Sequence, residues 1–331
     1  MTSFSYVAAP DTATALRAIA DGDRVKFLAG GTNLVDLMRE RIERPDTVVD
    51  ISRLPLAGVA ELPDGGLRIG ALTTNSGVAA DPLVWTRCPV LARAILDGAS
   101  PQLRNMATVG GNLLQRTRCL YFHDEAARCN KRAPGSGCDA IGGFSRGNAV
   151  LGVSDHCTAT HPSDMAVALV LLDATVEVQS TRGTRRIPIA EFHRVPGDAP
   201  HVETALAADE LITAVELPPA PVAANSGYRK VRDRAAFAFA LVSVAAALHV
   251  DDGVVTEVRL ALGGVGTKPW RATEAERALL GRPATDESFR AAADAELRSA
   301  TTTAQNAFKV ELARRTIVTT LRQLATDRSP A

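Results

Sequence analysis

Cys119, Cys129, Cys138 and Cys157 put four of the chain's five cysteines inside 39 residues, in the stretch RCLYFHDEAARCNKRAPGSGC and its continuation. Thiolates are nucleophiles, redox centres and soft metal ligands, and clustered thiols made in a reducing compartment bind metal or do redox chemistry more often than they pair as disulfides. The spacing C-x9-C-x8-C-x18-C lacks the C-x2-C knuckle of the common structural zinc sites. Zinc nevertheless accepts any four thiolates that reach a tetrahedron, and iron–sulfur clusters take four thiolates from more varied spacings. Five basic residues between Arg116 and Arg132, against Asp124 and Glu125, would offset part of the negative charge of a thiolate-bound cluster. Spacing alone leaves an iron–sulfur cluster, zinc and no metal all open. Cys88, beside Val90 and Leu91, reads as an inert core thiol. His123 and His156 adjoin cysteines but four thiolates already complete a site, and His161 precedes a proline as a turn residue would.

Two glycine pairs offer a second chemistry. In AGGTNL, Gly30 and Gly31 sit where a strand gives way to a helix, and the exposed amides of such a turn favour an anionic phosphate on Gly30, Gly31, Thr32 and Asn33. The turn is not the G-x-G-x-x-G fingerprint, and a Gly-Gly turn capped by Thr or Asn also starts ordinary helices. TVGGNLLQ repeats the pattern some 80 residues later with Thr108, Gly110, Gly111 and Asn112. Two amide nests would suit the diphosphate of an extended dinucleotide, while close strand packing is the plainer use of the second pair. In HPSDM, Ser163 or Asp164 would cap the following helix, and a buried Asp could equally accept from vicinal ribose hydroxyls. YRKVRDR puts Lys230, Arg232 and Arg234 on one strand face and Arg229 on the other, either as a solvated edge or as positive charge beside an electron-accepting ring. No Ser-His-Asp order, paired catalytic carboxylates or H-E-x-x-H accompanies these motifs.

The elements that position them follow from periodicity. With Asp11 as N-cap, a short helix carries Ala15, Leu16 and Ile19; then come a strand at Val25–Leu28, the glycine turn, a helix through Leu34, Leu37, Met38 and Ile42, and a strand at Val48 and Val49 beyond Pro45. A second block runs from GLRIGAL through a helix at 89–96 to the second glycine pair. The Cys-rich insertion, 116–157, has few apolar residues and several Gly and Pro, so it reads as loop. HPSDMAVALVLLDATVEVQS reads as helix into strand, and ELPPAPVAANSG as a linker. Beyond it, alternating runs predict three strands in meander order, then helices around 274–280 and 304–321. We place a boundary near Asn225, giving a two-lobed domain at 1–225, with lobes at 1–55 and 56–225, and a second domain at 226–331.

With 331 residues, 46% hydrophobic and 22% charged, the chain has the composition of a globular protein of two or three domains. Lys plus Arg balances Asp plus Glu at 37 each, so no basic field points to nucleic acid or to a membrane surface. The longest apolar run, AAFAFALVSVAAALHV, is too short for a membrane span and reads as a buried element. The amino terminus lacks the basic and apolar regions of a secretory signal, so cytoplasmic synthesis is expected.

Taken together, FLAGGTNL, TVGGNLLQ, PSDM and YRKVRDR, in this order and at these separations, resemble the FAD-binding medium subunits of the xanthine dehydrogenase and carbon monoxide dehydrogenase family of molybdenum hydroxylases. Within that family the Cys-rich stretch is similar to the FAD subunit of the bacterial periplasmic aldehyde oxidoreductases, a subtype with an added [4Fe–4S] insertion. The resemblance implies an α+β fold of the vanillyl-alcohol-oxidase type, two lobes holding FAD and a carboxy-terminal α+β domain with a three-stranded sheet. It implies that Leu28, Ala29, Gly30, Gly31, Thr32, Asn33 and Leu34, with Thr108, Gly110, Gly111 and Asn112, grip the diphosphate; that Ser163 and Asp164 meet the adenosine side; and that Lys230 lies near the isoalloxazine. Cys119, Cys129, Cys138 and Cys157 would be the cluster ligands. The partners implied are a large molybdenum-cofactor subunit and a small [2Fe–2S] subunit in a heterotrimer that oxidises an aldehyde and passes electrons to an external acceptor. Export of the folded complex to the periplasm is expected, with residence in the cytoplasm as the alternative.

Overall fold

The apolar stretches Ser5–Ala8 (β1), Val25–Leu28 (β2) and Thr47–Asp50 (β3) pair in parallel in the order β1-β3-β2. Parallel neighbours need crossovers, supplied by α1 (Thr12–Ala20) and α2 (Leu34–Arg39). The Thr14 N–H donates to Asp11 Oδ1 at 2.7 Å, so Asp11 caps α1 as its position predicts. The computed structural model describes residues 1–20, 22 and 24–326.

The second lobe is built on a five-stranded antiparallel sheet of β4 (Val59–Glu61), β5 (Leu67–Gly70), β6 (Thr175–Ser180), β7 (Gly183–Pro188) and β8 (Leu211–Leu217), ordered β4-β5-β8-β6-β7. Five short helices fill the interval after β5: α3 (Asn75–Ala80), α4 (Pro82–Arg87), α5 (Pro89–Asp97), α6 (Pro101–Met106) and α7 (Val109–Leu113). The Cys-rich insertion follows and contains one four-residue helix, α8 (Leu120–His123), in agreement with its loop-like composition. It leads into α9 (Asp164–Leu171), in which every residue is buried. A helix apolar all round can only be a core element. The short α10 (Ile189–Phe192) closes the lobe.

In the carboxy-terminal part, β9 (Ser226–Val231), β10 (Val242–Asp251) and β11 (Val254–Gly263) form the expected meander, extended by a two-residue edge strand, β12 (Trp270–Arg271). The helices α11 (Thr273–Leu279), α12 (Asp286–Leu297) and α13 (Phe308–Thr326) cover one face of it. Helix α12 lies outside the expected helices because its alanine-rich face gives a weak apolar signal. The apolar run that ends in β10 is split, since Phe237 is 73% exposed and only the segment from Val242 is buried strand. The other face of the sheet joins the second lobe, because Ala245, Ala247 and Ala261 share a cluster with Met165 to Leu172. Arg271 fixes that seam: its Nη1 donates to the Val170 and Leu171 carbonyls at 2.9 and 3.2 Å and pairs with Asp173 at 2.7 Å. A cation at the last carbonyls of α9 is where the helix dipole favours one.

Candidate flavin and thiol sites

The first glycine turn is pressed against the second. A methyl added at Gly30 would lie 1.7 Å from the Met106 carbonyl oxygen, so only glycine allows the loop of the first lobe to reach the end of α6. Gly31 has φ +72°, a region that side chains resist. Among the described residues, no hydrogen bond uses the backbone N–H groups of Gly30, Gly31, Thr32 or Asn33, and the buried Asn33 Nδ2 has no partner. Five unspent donors along one loop are what an anionic diphosphate requires, and groups left so would otherwise carry a desolvation cost.

The second turn is not a second nest. Val109 and Gly110 donate to the carbonyls of Thr73 and Ala71 at 3.0 and 2.8 Å, Asn112 donates to the Thr108 carbonyl at 2.8 Å, and the Gly111 N–H reaches Thr108 Oγ1 at 3.4 Å. The amides that would have gripped phosphate instead bind the turn to the segment just beyond β5 and to its own cap. A methyl on Gly110 would lie 3.3 Å from Ala71 Cβ, so that glycine serves close packing, whereas Gly111 is exposed and open beyond Thr108.

Ser163 caps α9: its Oγ accepts from Ala166 N at 2.9 Å and donates to Asn112 Oδ1 at 2.6 Å, so the cap also reaches the second turn. Asp164 is consumed within the chain. Tyr228 Oη donates to one carboxylate oxygen at 2.5 Å and Lys230 Nζ to the other at 2.7 Å. The Lys230 side chain is 2% exposed, and its ammonium also donates to the Asp97 carbonyl at 3.0 Å, where Arg232 Nη1 joins it at 3.0 Å. Burial first, and then the Asp164 charge, hold the Tyr228 hydroxyl well above its usual range. Lys230 and Arg232 both reach the Asp97 carbonyl while Arg229 turns to Gln323 on α13 at 2.9 Å, but β9 ends at Val231 and Arg234, expected on the face of Lys230, instead donates to the Phe237 carbonyl in the loop beyond. Tyr228, on the face of Lys230 by strand alternation, was legible and was missed.

A cavity of about 30 Å³ lies where the second lobe meets the meander, lined by Arg118, His161, Ser163, Asp164, Phe239 and Ser243 among others. Arg118 Nε, His161 Nε2 and Ser243 Oγ are buried without partners there. These unspent polar atoms line the seam beside Ser163 and Asp164, in a space about the size of one water molecule. His161 stacks edge-on against His193, with ring centroids 4.4 Å apart. His161 is therefore no simple turn residue.

The four cysteines converge. Cys129 and Cys138 face each other in an isolated antiparallel bridge, and Cys119 shares a buried cluster with Cys129, Phe122 and Leu37. All five cysteines are free thiols. Burial pushes the Cys157 thiol up to about 11, opposed by Lys131 and helped by Cys138 and Cys119. Burial also raises Cys119, with Cys129 and Cys138 adding to the rise. Thiols that resist ionisation this way become ligands only when a cation displaces their protons. Among the described residues, no three Cys, His, Asp or Glu side chains gather around a single-ion site. A zinc ion needs four donors about 2.3 Å from one point. Cys88 is buried apart from the others and pushed up to about 12 by desolvation, the inert thiol expected.

A two-lobed α+β module with an unsatisfied anion-binding loop at the lobe junction, joined to a meander-and-helix domain, defines a flavin-binding chain. Comparison with known proteins agrees with that class. Residues 2–220 match the FAD binding domain in molybdopterin dehydrogenase, and residues 226–324 match the CO dehydrogenase flavoprotein C-terminal domain. The aldehyde oxidoreductase FAD-binding subunit PaoB of Escherichia coli K12 is 51% identical over 322 residues, which span 97% of this chain and 98% of that protein. The glyceraldehyde dehydrogenase medium chain of Sulfolobus acidocaldarius is 28% identical, covering 86% of this chain and 83% of its own. The solved carbon monoxide dehydrogenase of Hydrogenophaga pseudoflava superposes with a TM-score of 0.74 at 25% identity, over 97% of this chain and 96% of that one. The chain belongs to the FAD-binding medium subunits of the molybdenum hydroxylase family and is an oxidoreductase subunit.

Proposed function

We propose that this chain is the electron-transfer subunit of a molybdenum-dependent aldehyde oxidoreductase heterotrimer, holding FAD at the lobe junction and a [4Fe–4S] cluster on Cys119, Cys129, Cys138 and Cys157. The observation that carries the flavin reading is the run of unspent donors from Gly30 to Asn33. The aldehyde reading draws on the 51% identity to a subunit of that description. The large partner would carry the molybdenum site at which the aldehyde becomes an acid, and a small [2Fe–2S] partner would deliver the electrons. Bound FAD would supply a two-electron store that empties into an external acceptor. This chain's own residues bind and orient: Leu28 to Leu34 form the diphosphate loop, and Thr108 to Asn112 brace it. Ser163 ties α9 to that brace, and the Lys230–Asp164 pair fixes the wall of the seam.

For the thiols, the cluster reading is supported by their convergence: Cys129 faces Cys138, Cys119 packs with Cys129, and both Cys119 and Cys138 act on the Cys157 thiol. Following the resemblance of the insertion to the periplasmic enzymes, we place the complex in the periplasm after cofactor loading in the cytoplasm. Fractionation of activity would distinguish that from a cytoplasmic complex.

An anaerobic visible spectrum of the purified complex and of this chain, before and after dithionite, tests the proposal, with iron and zinc counted on the same samples. Flavin bands over an iron–sulfur shoulder, both bleaching, with about four irons on this chain, are the expected result. A colourless chain carrying zinc would overturn it, as would aldehyde turnover by this chain alone.

A further inference from the structure

Helix α2 touches both candidate sites. Its N-terminal approach is the unspent amide run, and its buried Leu37 packs in one cluster with Phe122, Cys129, Cys119 and Ile42. Asn33, at the end of the amide run, accepts the Arg116 N–H on its Oδ1 at 3.1 Å, three residues before Cys119. The Arg116 guanidinium then ties the insertion down. It donates to Glu43 just beyond α2 at 2.8 Å, to Glu203 at 2.6 and 2.9 Å, and to the Lys131 carbonyl at 3.2 Å. It also lies over the Phe122 ring, 4.5 Å from the centroid. His123 bridges Glu40 at 2.5 Å and the Thr117 carbonyl at 2.9 Å, and Arg44 pairs with Glu125. Four of these attachments, to Asn33, Glu40, Glu43 and Arg44, land on the twelve-residue stretch from Asn33 to Arg44, while Arg116 also holds Glu203 outside it.

The far end of the insertion is anchored in the carboxy-terminal core through Val150 and Leu151, whereas its near end, with Phe122 and Cys129, packs on this stretch and on the other thiols. We propose that α2 couples the two sites, so that the ligand state of the four-cysteine insertion sets how tightly the chain holds FAD. The inference rests on the flavin and cluster readings above. When the thiols are tied together, Arg116 presents its N–H to Asn33 and Phe122 supports Leu37, which holds the amides of Gly30 to Asn33 in line. When they are released, the loop loses both supports. Coupling of this kind is reciprocal, so flavin occupancy stabilises the thiol site by the same factor.

A double-mutant cycle on the assembled complex tests this, reading the FAD dissociation constant by flavin fluorescence, iron per complex and far-UV circular dichroism. The variants are Cys138→Ser, a thiol outside the α2 cluster; Arg116→Met, which keeps the stem over Phe122 and removes the ties to Glu43 and Glu203; and both together. The expected result is a loss of about four irons in Cys138→Ser with an FAD dissociation constant raised roughly 5- to 150-fold. Arg116→Met should raise the constant as well, and the double variant should be no weaker than the weaker single, the signature of one shared path. Iron loss with unchanged FAD affinity overturns the coupling, as do strictly additive effects. If Cys138→Ser loses no iron, the cluster reading fails instead, and Arg116→Met alone decides whether the insertion braces the flavin loop. Should Cys138→Ser not fold, Leu37→Val, which thins the contact on Phe122 without touching a thiol, must still weaken FAD; an unchanged constant there overturns the proposal.

Discussion

At the scale of the residue, the strongest constraint is the buried Lys230–Asp164 pair with Tyr228 on the second carboxylate oxygen. Breaking such a pair strands a charge, at a cost of about 3–5 kcal/mol, whereas removing both members restores most of it. Lys230→Met should therefore lower unfolding stability in urea by that amount, and adding Asp164→Asn should recover the larger part. His193 gives a pH test. Burial depresses its pKa to about 4, with the Leu113 carbonyl at 2.9 Å opposing the shift and Lys268 adding to it. The unfolded chain takes up a proton near 6.5 while the folded chain stays neutral, so stability present at neutral pH drains away as pH falls from about 6.5 to 4. The loss from His193 amounts to about 3 kcal/mol, and His193→Gln should remove that share in chemical unfolding measured between those limits, leaving the part that buried His161 adds over the same range. Residue types were legible in the sequence where one residue alone has the property: Gly30, Gly31 and the clustered thiols. Partnerships were not, because Lys230 and Asp164 stand 66 positions apart and nothing in either stretch names the other.

At the scale of the element, the two glycine turns look alike in sequence and behave differently in the fold. The first ends a parallel strand and leaves its amides free; the second lies against the segment that follows β5, where the Ala71 and Thr73 carbonyls take two of them. That difference depends on what lies alongside, which a turn motif does not encode. Gly30→Ala should be the sharper substitution, since its methyl would meet the Met106 carbonyl. The expected outcome is a chain purified with little flavin, read from the ratio of visible to ultraviolet absorbance. Gly111→Ala, facing open space, should retain its flavin. Ser163→Ala should cost about 1 kcal/mol as a lost cap on α9 and loosen Asn112 at the same time. The order of strands and helices was largely readable from periodicity. The fourth strand β12 and helix α12 were not, one being two residues long and the other carrying few large apolar side chains.

For the whole molecule, the three sheets share their cores. Leu72 and Leu211 of the second lobe pack with Val49 and Ile51 of the first, and Val150 and Leu151 of the insertion pack into the carboxy-terminal core. Lys309, fully buried, binds the same parts from within: its ammonium donates to the carbonyls of Gly147, Asn148 and Gly264 at 2.9, 2.9 and 2.7 Å. Units joined this way should unfold together, in one transition by calorimetry. Free FAD at 100 times its dissociation constant should stabilise that transition by about 2.7 kcal/mol, provided it binds only the folded chain. A flavin-independent midpoint would count against the lobe-junction site.

The contact of Gly30 with Met106 also sets a timetable. The strands of the first lobe end at Asp50, yet the Met106 carbonyl its glycine loop leans on ends α6, the turn after α6 bonds to Ala71 and Thr73 just beyond β5, and β5 pairs inside its sheet with β8, which begins at Leu211. On a ribosome, the flavin loop would be made early and left without its counterpart until nearly two thirds of the chain had emerged. Flavin capture is therefore an event of late synthesis or of the released polypeptide, and a nascent chain halted before β8 should leave the cofactor in solution.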